Sequence, residues 1–115
     1  MYLVLVLTPL SFIRAYEMPV NSRAQIVDYV IHEAQKWDVN VDKVLAVVSC
    51  ESDFNPFLVG DNGHSFGIFQ IYLVAHPQIT KEQAQGVRWA TNWAMGQMST
   101  NKYKLWSCYK QLAFR

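Results

Sequence analysis

The chain has 115 residues, enough for one compact domain and too few for two. Apolar residues make up 51% and aromatic residues 14%, ample for one buried core and inconsistent with a disordered chain. A formal net charge of +1 offers no basic excess to follow a phosphate backbone, so nucleic acid is a poor fit and a neutral or lightly charged polymer a better one.

Residues 1–19, MYLVLVLTPLSFIRAYEMP, differ from the rest: Met1 to Phe12 is apolar apart from Thr8 and Ser11. The run is shorter than the roughly 20 apolar residues of a membrane span and has the length of the hydrophobic region of a signal peptide. No Lys or Arg precedes it, and no clean small-x-small cleavage site follows. Three readings stay open: an export signal, a short membrane-proximal segment, or a strand or helix packed on the domain. Pro19 marks the boundary, and a single domain is expected over 20–115.

Within the domain, Ser22 with Gln25 forms a capping-box pattern. Ile26, Val27, Val30, Ile31, Ala34 and Trp37 follow at helical spacing, which predicts a helix from Ser22 to Trp37. Asn40 caps a second helix carrying Val44, Leu45, Val47, Val48 and Glu51, closed by Asn55-Pro56. The turn formers of GDNGHSFG, Gly60 to Gly67, predict a tight turn or short hairpin. Thr80 with Gln83 opens a short helix. Trp89, Ala90, Trp93, Ala94 and Met98 form a helical stripe, and Leu105, Trp106, Tyr109 and Leu112 a last one. The expected fold is mainly α, a helical domain with one Gly-rich turn or β-hairpin segment.

Cys50 and Cys108 are the two cysteines. In an exported protein an even count suggests one disulfide. Closing so long a loop would contribute on the order of 4 kcal/mol. Two independent buried thiols are the alternative. His32, His64 and His76 lie far from either cysteine in sequence, so no metal signature appears, and no cofactor is expected.

The most informative stretch is VLAVVSCESDFNPF, Val44 to Phe57, where an apolar helical face ends in a carboxylate, Glu51. Apolar neighbours disfavour its charged form, and so does the partial negative charge of a helix C-terminus. A carboxyl group kept protonated towards neutral pH is what a general acid requires. The bland alternative is a glutamate that reaches solvent at a frayed helix end or pairs with Lys or Arg.

The segment CESDFNPFLVGDNGHSFGIFQI resembles the signature of lysozyme-like lytic transglycosylases: an apolar helix ending in Glu-Ser, an aromatic, Asn-Pro, a turn, and Gly-hydrophobic-x-Gln-hydrophobic. Glu51, Ser52, Phe54, Asn55, Pro56, Gly67, Ile68, Gln70 and Ile71 carry the match. FGIFQI is also similar to the corresponding segment of animal lysozymes. The resemblance implies a lysozyme-like domain that cleaves the MurNAc–GlcNAc bond of peptidoglycan strands. It implies Glu51 as catalytic acid and Gln70 as a saccharide contact. Gly67 would let the backbone approach the sugar or turn tightly, and Ser65 would hydrogen-bond near the glutamate or satisfy the turn. Many members carry an Ala-Tyr-Asn-Ala-Gly-like segment on a later helix. This chain lacks it, and Tyr103 or Tyr109 is left to supply a hydroxyl near the acid.

Hydrolytic glycosidases usually use two carboxylates. Asp53 and Asp61 are the candidates for a second. Asp53 falls on the opposing side of the helix from Glu51, whereas Asp61, ten residues on, could face the glutamate across a cleft, although its turn also favours Asp for its own geometry. A single glutamate suffices for the transglycosylase route, which ends in a 1,6-anhydro ring. The expectation is a monomeric transglycosylase, secreted, in the cell envelope or phage-associated. A hydrolytic muramidase using Asp61 and a non-catalytic glycan-binding module are the alternatives.

Overall fold

The computed structural model describes residues 20–112, so the reading of 1–19 as a leader lies outside the described residues. Helix α1 spans Arg23–Lys36 and α2 spans Val41–Ser52. Strands β1 (Val59–Gly60), β2 (Ser65–Phe66) and β3 (Ile71–Tyr72) follow, then α3 (Lys81–Gln85), α4 (Val87–Ser99) and α5 (Ser107–Leu112). The fold is mainly helical, with one small antiparallel sheet in the order β1-β2-β3.

The helix starts form where local chemistry asks for them. The Ser22 hydroxyl accepts from the Gln25 amide while the Gln25 side chain accepts from the Ser22 backbone, and Thr80 and Gln83 repeat the arrangement at α3. The Asn40 side chain accepts from the Lys43 amide at the start of α2. At its other end α2 stops at Ser52, before Asn55-Pro56, because Asp53 turns into the left-handed region with φ 51°. Arg23 holds that corner, donating to the Asp53 carbonyl at 2.7 Å and pairing with its carboxylate at 2.8 Å.

The buried face of α1 is formed by Ile26, Val30, Glu33 and Ala34. Trp37, expected on that stripe, is the C-cap and stays 38% exposed, while Glu33 takes a buried place with the Lys36 ammonium 3.8 Å away. The C-terminal stripe also differs from its sequence reading. Leu105 ends a 3-10 turn (Tyr103–Leu105), Trp106 is extended, and α5 begins only at Ser107. The indole of Trp106 donates to the Phe69 carbonyl at 2.9 Å, and this tertiary bond outweighs helical continuity.

Helix α1 packs on α2 and α4, α2 on α5, and α3 on α4 and β2. Between them runs the turn joining β2 to β3, whose Ile68 and Phe69 are almost wholly buried. A buried turn must find partners for its carbonyls. Ser52 donates its hydroxyl to the Ile68 carbonyl at 2.7 Å, and Trp106 serves Phe69. Ser52→Ala would leave the Ile68 carbonyl buried and unpaired. We expect it to lower unfolding free energy by about 1–3 kcal/mol, measured by urea denaturation, without changing far-UV circular dichroism.

Candidate active site

Glu51 emerges at the end of α2, one turn beyond Val47 and Val48, which are fully buried. It lies half-buried in the wall of a cleft of about 480 Å³. Asp61, Asn62, His64, Gln70 and Tyr72 line the cleft from the sheet side, and Leu105, Trp106 and Ser107 from the C-terminal side. Burial pushes the Glu51 carboxyl above the usual carboxylate range; a hydrogen bond from the Cys108 backbone N–H to Oε2, at 3.2 Å, partly offsets this, and the negative charge of Asp61 adds to the rise. The sequence indicated burial as a cause. Asp61 was also a sequence candidate to face Glu51 across a cleft, and the path of the turn brings it there.

Asp61 opens a 3-10 turn, Asp61–Gly63, in which Asp61, Asn62 and Gly63 have positive φ of 49°, 57° and 91°. Asp, Asn and Gly are the residues that tolerate this region best, which is why GDNG folds into so tight a bend. The Ser65 hydroxyl donates to Asp61 Oδ2 and fixes the carboxylate. Asp53 takes no part: it is paired with Arg23 at the exposed end of α2.

Gln70 lines the cleft from a left-handed backbone, φ 49°. Its amide nitrogen donates to the Leu58 carbonyl at 3.0 Å and the Gly67 carbonyl at 2.9 Å. Both amide hydrogens are thereby committed to tying Leu58, just before β1, to the buried turn, and Oε1, beside Gly60, is the side chain's remaining hydrogen-bonding atom.

Three residues expected at the saccharide lie elsewhere. Ser65 is wholly buried and reaches the site only through Asp61. Gly67 is buried against the backbone of α3, so its missing side chain serves helix packing and not approach to a sugar. Tyr103 is buried, stacked on Tyr109 with ring centroids 4.7 Å apart and with the Lys43 ammonium over both rings. Neither tyrosine lines the cleft beside Glu51.

The tyrosine that does so is Tyr72, 42% exposed and edge-on to His64 with centroids 6.4 Å apart. Strand alternation was the available signal: Ile71 points into the core, so Tyr72 must face the other way. Trp106 and Ser107 carried no such signal, because they arrive from the far end of the chain.

Cys50 and Cys108 form a disulfide with Cα atoms 6.0 Å apart, which suits an oxidising environment. It joins the last turn of α2 to α5, one residue before Glu51. Among the described residues, no group of three or more His, Cys, Asp or Glu side chains is placed to hold a metal ion, and no helix is long and apolar enough to cross a membrane. No family model, curated protein or solved structure matches the chain.

Proposed function

We propose that this chain cleaves the MurNAc–GlcNAc glycosidic bond of peptidoglycan strands, as a lytic transglycosylase, with Glu51 as the acid and then the base. The observation that carries this reading is Glu51 itself: a carboxyl group whose pKa burial pushes above the usual carboxylate range, in the wall of a cleft. The resemblance of Cys50–Ile71 to the transglycosylase signature supports the substrate class. The disulfide supports action outside the cytoplasm, in the cell envelope, as a secreted protein or with a phage particle.

In this route Glu51 gives its proton to the glycosidic oxygen as the bond to C-1 breaks. The resulting carboxylate takes the proton of the muramic C-6 hydroxyl, whose oxygen closes on C-1. A 1,6-anhydro ring forms, no water is consumed, and Glu51 ends protonated as it began. Asn62, the Gln70 oxygen, Ser107 and the Tyr72 hydroxyl are among the polar groups of the cleft able to meet sugar hydroxyls and acetamido groups, and Tyr72 also offers a ring to a sugar face.

One observation favours a second reading, hydrolysis. Asp61 shares the cleft and acts electrostatically on Glu51, and Ser65 orients its carboxylate. An aspartate so placed is able to activate a water. Mass spectrometry of muropeptides released by the purified protein separates the routes: anhydro ends are lighter by one water than reducing ends. We expect anhydro ends, with Asp61→Asn lowering the release rate by less than about tenfold, whereas loss of a true catalytic base would cost roughly 100-fold or more. The same substitution removes a charge that raises the Glu51 pKa, so the alkaline limb of the pH–rate profile should move to lower pH. Reducing ends together with an inactive but folded Asp61→Asn protein would establish the hydrolytic route instead. A folded protein that binds peptidoglycan and releases nothing would be a glycan-binding module.

A further inference from the structure

Two consecutive residues of α2, Cys50 and Glu51, are tied to one residue of α5. Cys108 bonds covalently to Cys50, and its backbone N–H donates to Glu51 Oε2. Helix α5 has six residues. Isolated helices below about 12–15 residues are marginal in water, so its place depends on what holds it. It packs on α2 and on the 3-10 turn Tyr103–Leu105. Upstream, the chain is independently anchored at Trp106, buried and bonded to the Phe69 carbonyl. From Ser107 onward the disulfide is the covalent tie, beside the stacking of Tyr109 on Tyr103, and Ser107 itself lines the cleft.

The other groups facing Glu51 do not depend on this tie. Asp61 comes from the Asp61–Gly63 turn, and His64 and Tyr72 from the sheet region. Asp61 is held by Ser65, and the sheet is clamped by Gln70. Opening the bond therefore changes one side of the site and leaves the other in place.

We propose that the Cys50–Cys108 disulfide is a redox switch on the cleft: oxidised, it seats the Cys108 amide against Glu51; reduced, it releases α5 and disables the acid. This rests on the reading of Glu51 as catalytic acid. The chemistry is exchange with a dithiol. A reductant thiolate attacks one sulfur, and the other leaves as a thiolate that takes up a proton. The reductant's second thiol, losing its proton, then closes its own disulfide and frees the remaining cysteine. The protein gains two electrons and two protons, and the dithiol is oxidised. The reverse step needs a disulfide oxidant, so the chain stays inactive in a reducing compartment and becomes active beyond it.

The test compares the full chain oxidised, kept in dithiothreitol, and re-oxidised, with Cys108→Ser as a second variant that keeps the backbone amide. Four quantities are read: muropeptide release, far-UV circular dichroism, backbone hydrogen exchange over 107–112, and the carboxyl carbon NMR titration of Glu51. In dithiothreitol we expect helical dichroism retained, faster exchange confined to 107–112, and release lowered roughly 100-fold, the usual order for a displaced catalytic group. Re-oxidation should restore release, and Cys108→Ser should behave as the reduced chain. The Glu51 midpoint should fall towards the ordinary carboxylate range. Burial is the larger cause of its elevation, and losing it outweighs losing the opposing hydrogen bond. An unchanged Glu51 midpoint and unchanged exchange in a folded, reduced chain would overturn the proposal, and so would global unfolding on reduction. If the midpoint and the local exchange respond to redox state while neither form cleaves peptidoglycan, the switch stands and the glycosidase reading falls.

Discussion

Glu51→Gln is expected to leave the protein folded and, if the proposed function holds, to lower peptidoglycan cleavage by roughly 100- to 10,000-fold, the range that loss of a positioned acid–base group brings. Glutamine nearly matches glutamate in shape, and its carbonyl oxygen can still accept from the Cys108 amide that now bonds to Oε2. The contact between α2 and α5 is kept, and only the transferable proton is lost. Muropeptide release and a thermal melt measured together check both halves of the expectation. On the proposed reading, the wild-type pH–rate profile should carry the same signature. As the proposed acid Glu51 would have to be protonated to act, so activity should fall as pH rises through its pKa. We expect that limb above the ordinary carboxylate range, because burial raises the pKa, the Cys108 bond only partly offsets it, and Asp61 adds to the rise. Near-normal release from a folded Glu51→Gln protein would remove the glutamate from the mechanism.

Gly67→Ala carries the largest expected effect on stability, about 3 kcal/mol or more, from an overpacked core combined with a strained backbone. Gly67 has φ +83°, and a Cβ there would stand 2.0 Å from the Ala84 carbonyl oxygen and 3.2 Å from the Gln85 Cα. Those are backbone atoms of α3 and cannot swing aside as a side-chain tip would, so β2 and α3 must separate. Gly63 provides the control. Its φ is +91°, but nothing lies within 4 Å of its Cβ position, so Gly63→Ala bears backbone strain alone. Urea midpoints of the two variants measure the difference. Equal losses would mean that the contact with α3 is not what makes Gly67 necessary.

The parts of this fold legible in the sequence are those decided within a few residues. Ser22 with Gln25, Asn40, and Thr80 with Gln83 each cap the helix expected of them, since the partner is one turn away. Glu51 was legible because an apolar helical face ends on it. The cysteine count indicated the bridge that forms. What escaped was decided by distant partners. Trp106 looked like one residue of a helical stripe, but it is extended with φ −108° and ψ 122° because its indole serves a carbonyl at Phe69. Tyr103 looked available to the site, whereas the ring of Tyr109 and the ammonium of Lys43 occupy its faces. Ser65 and Gln70 carry polar groups that suited a sugar equally well. Only the closed structure shows those groups used on Asp61 and on two backbone carbonyls.

The adjacent carbonyls of Ile68 and Phe69 receive the two sides of the cleft: Ser52, next to Glu51, bonds to the first, and Trp106 to the second. The third boundary, β2 and β3, is the chain that runs directly into and out of the same dipeptide. All three walls are thus gauged from one interior point. The spacing of the walls is tied to two hidden residues, while the exposed turn bearing Asp61 and Asn62 completes the rim. A change of a methyl group at Ile68 or Phe69 would re-space the acid against its opposite wall without altering any residue a substrate touches. Selectivity in such a protein would drift through its interior first.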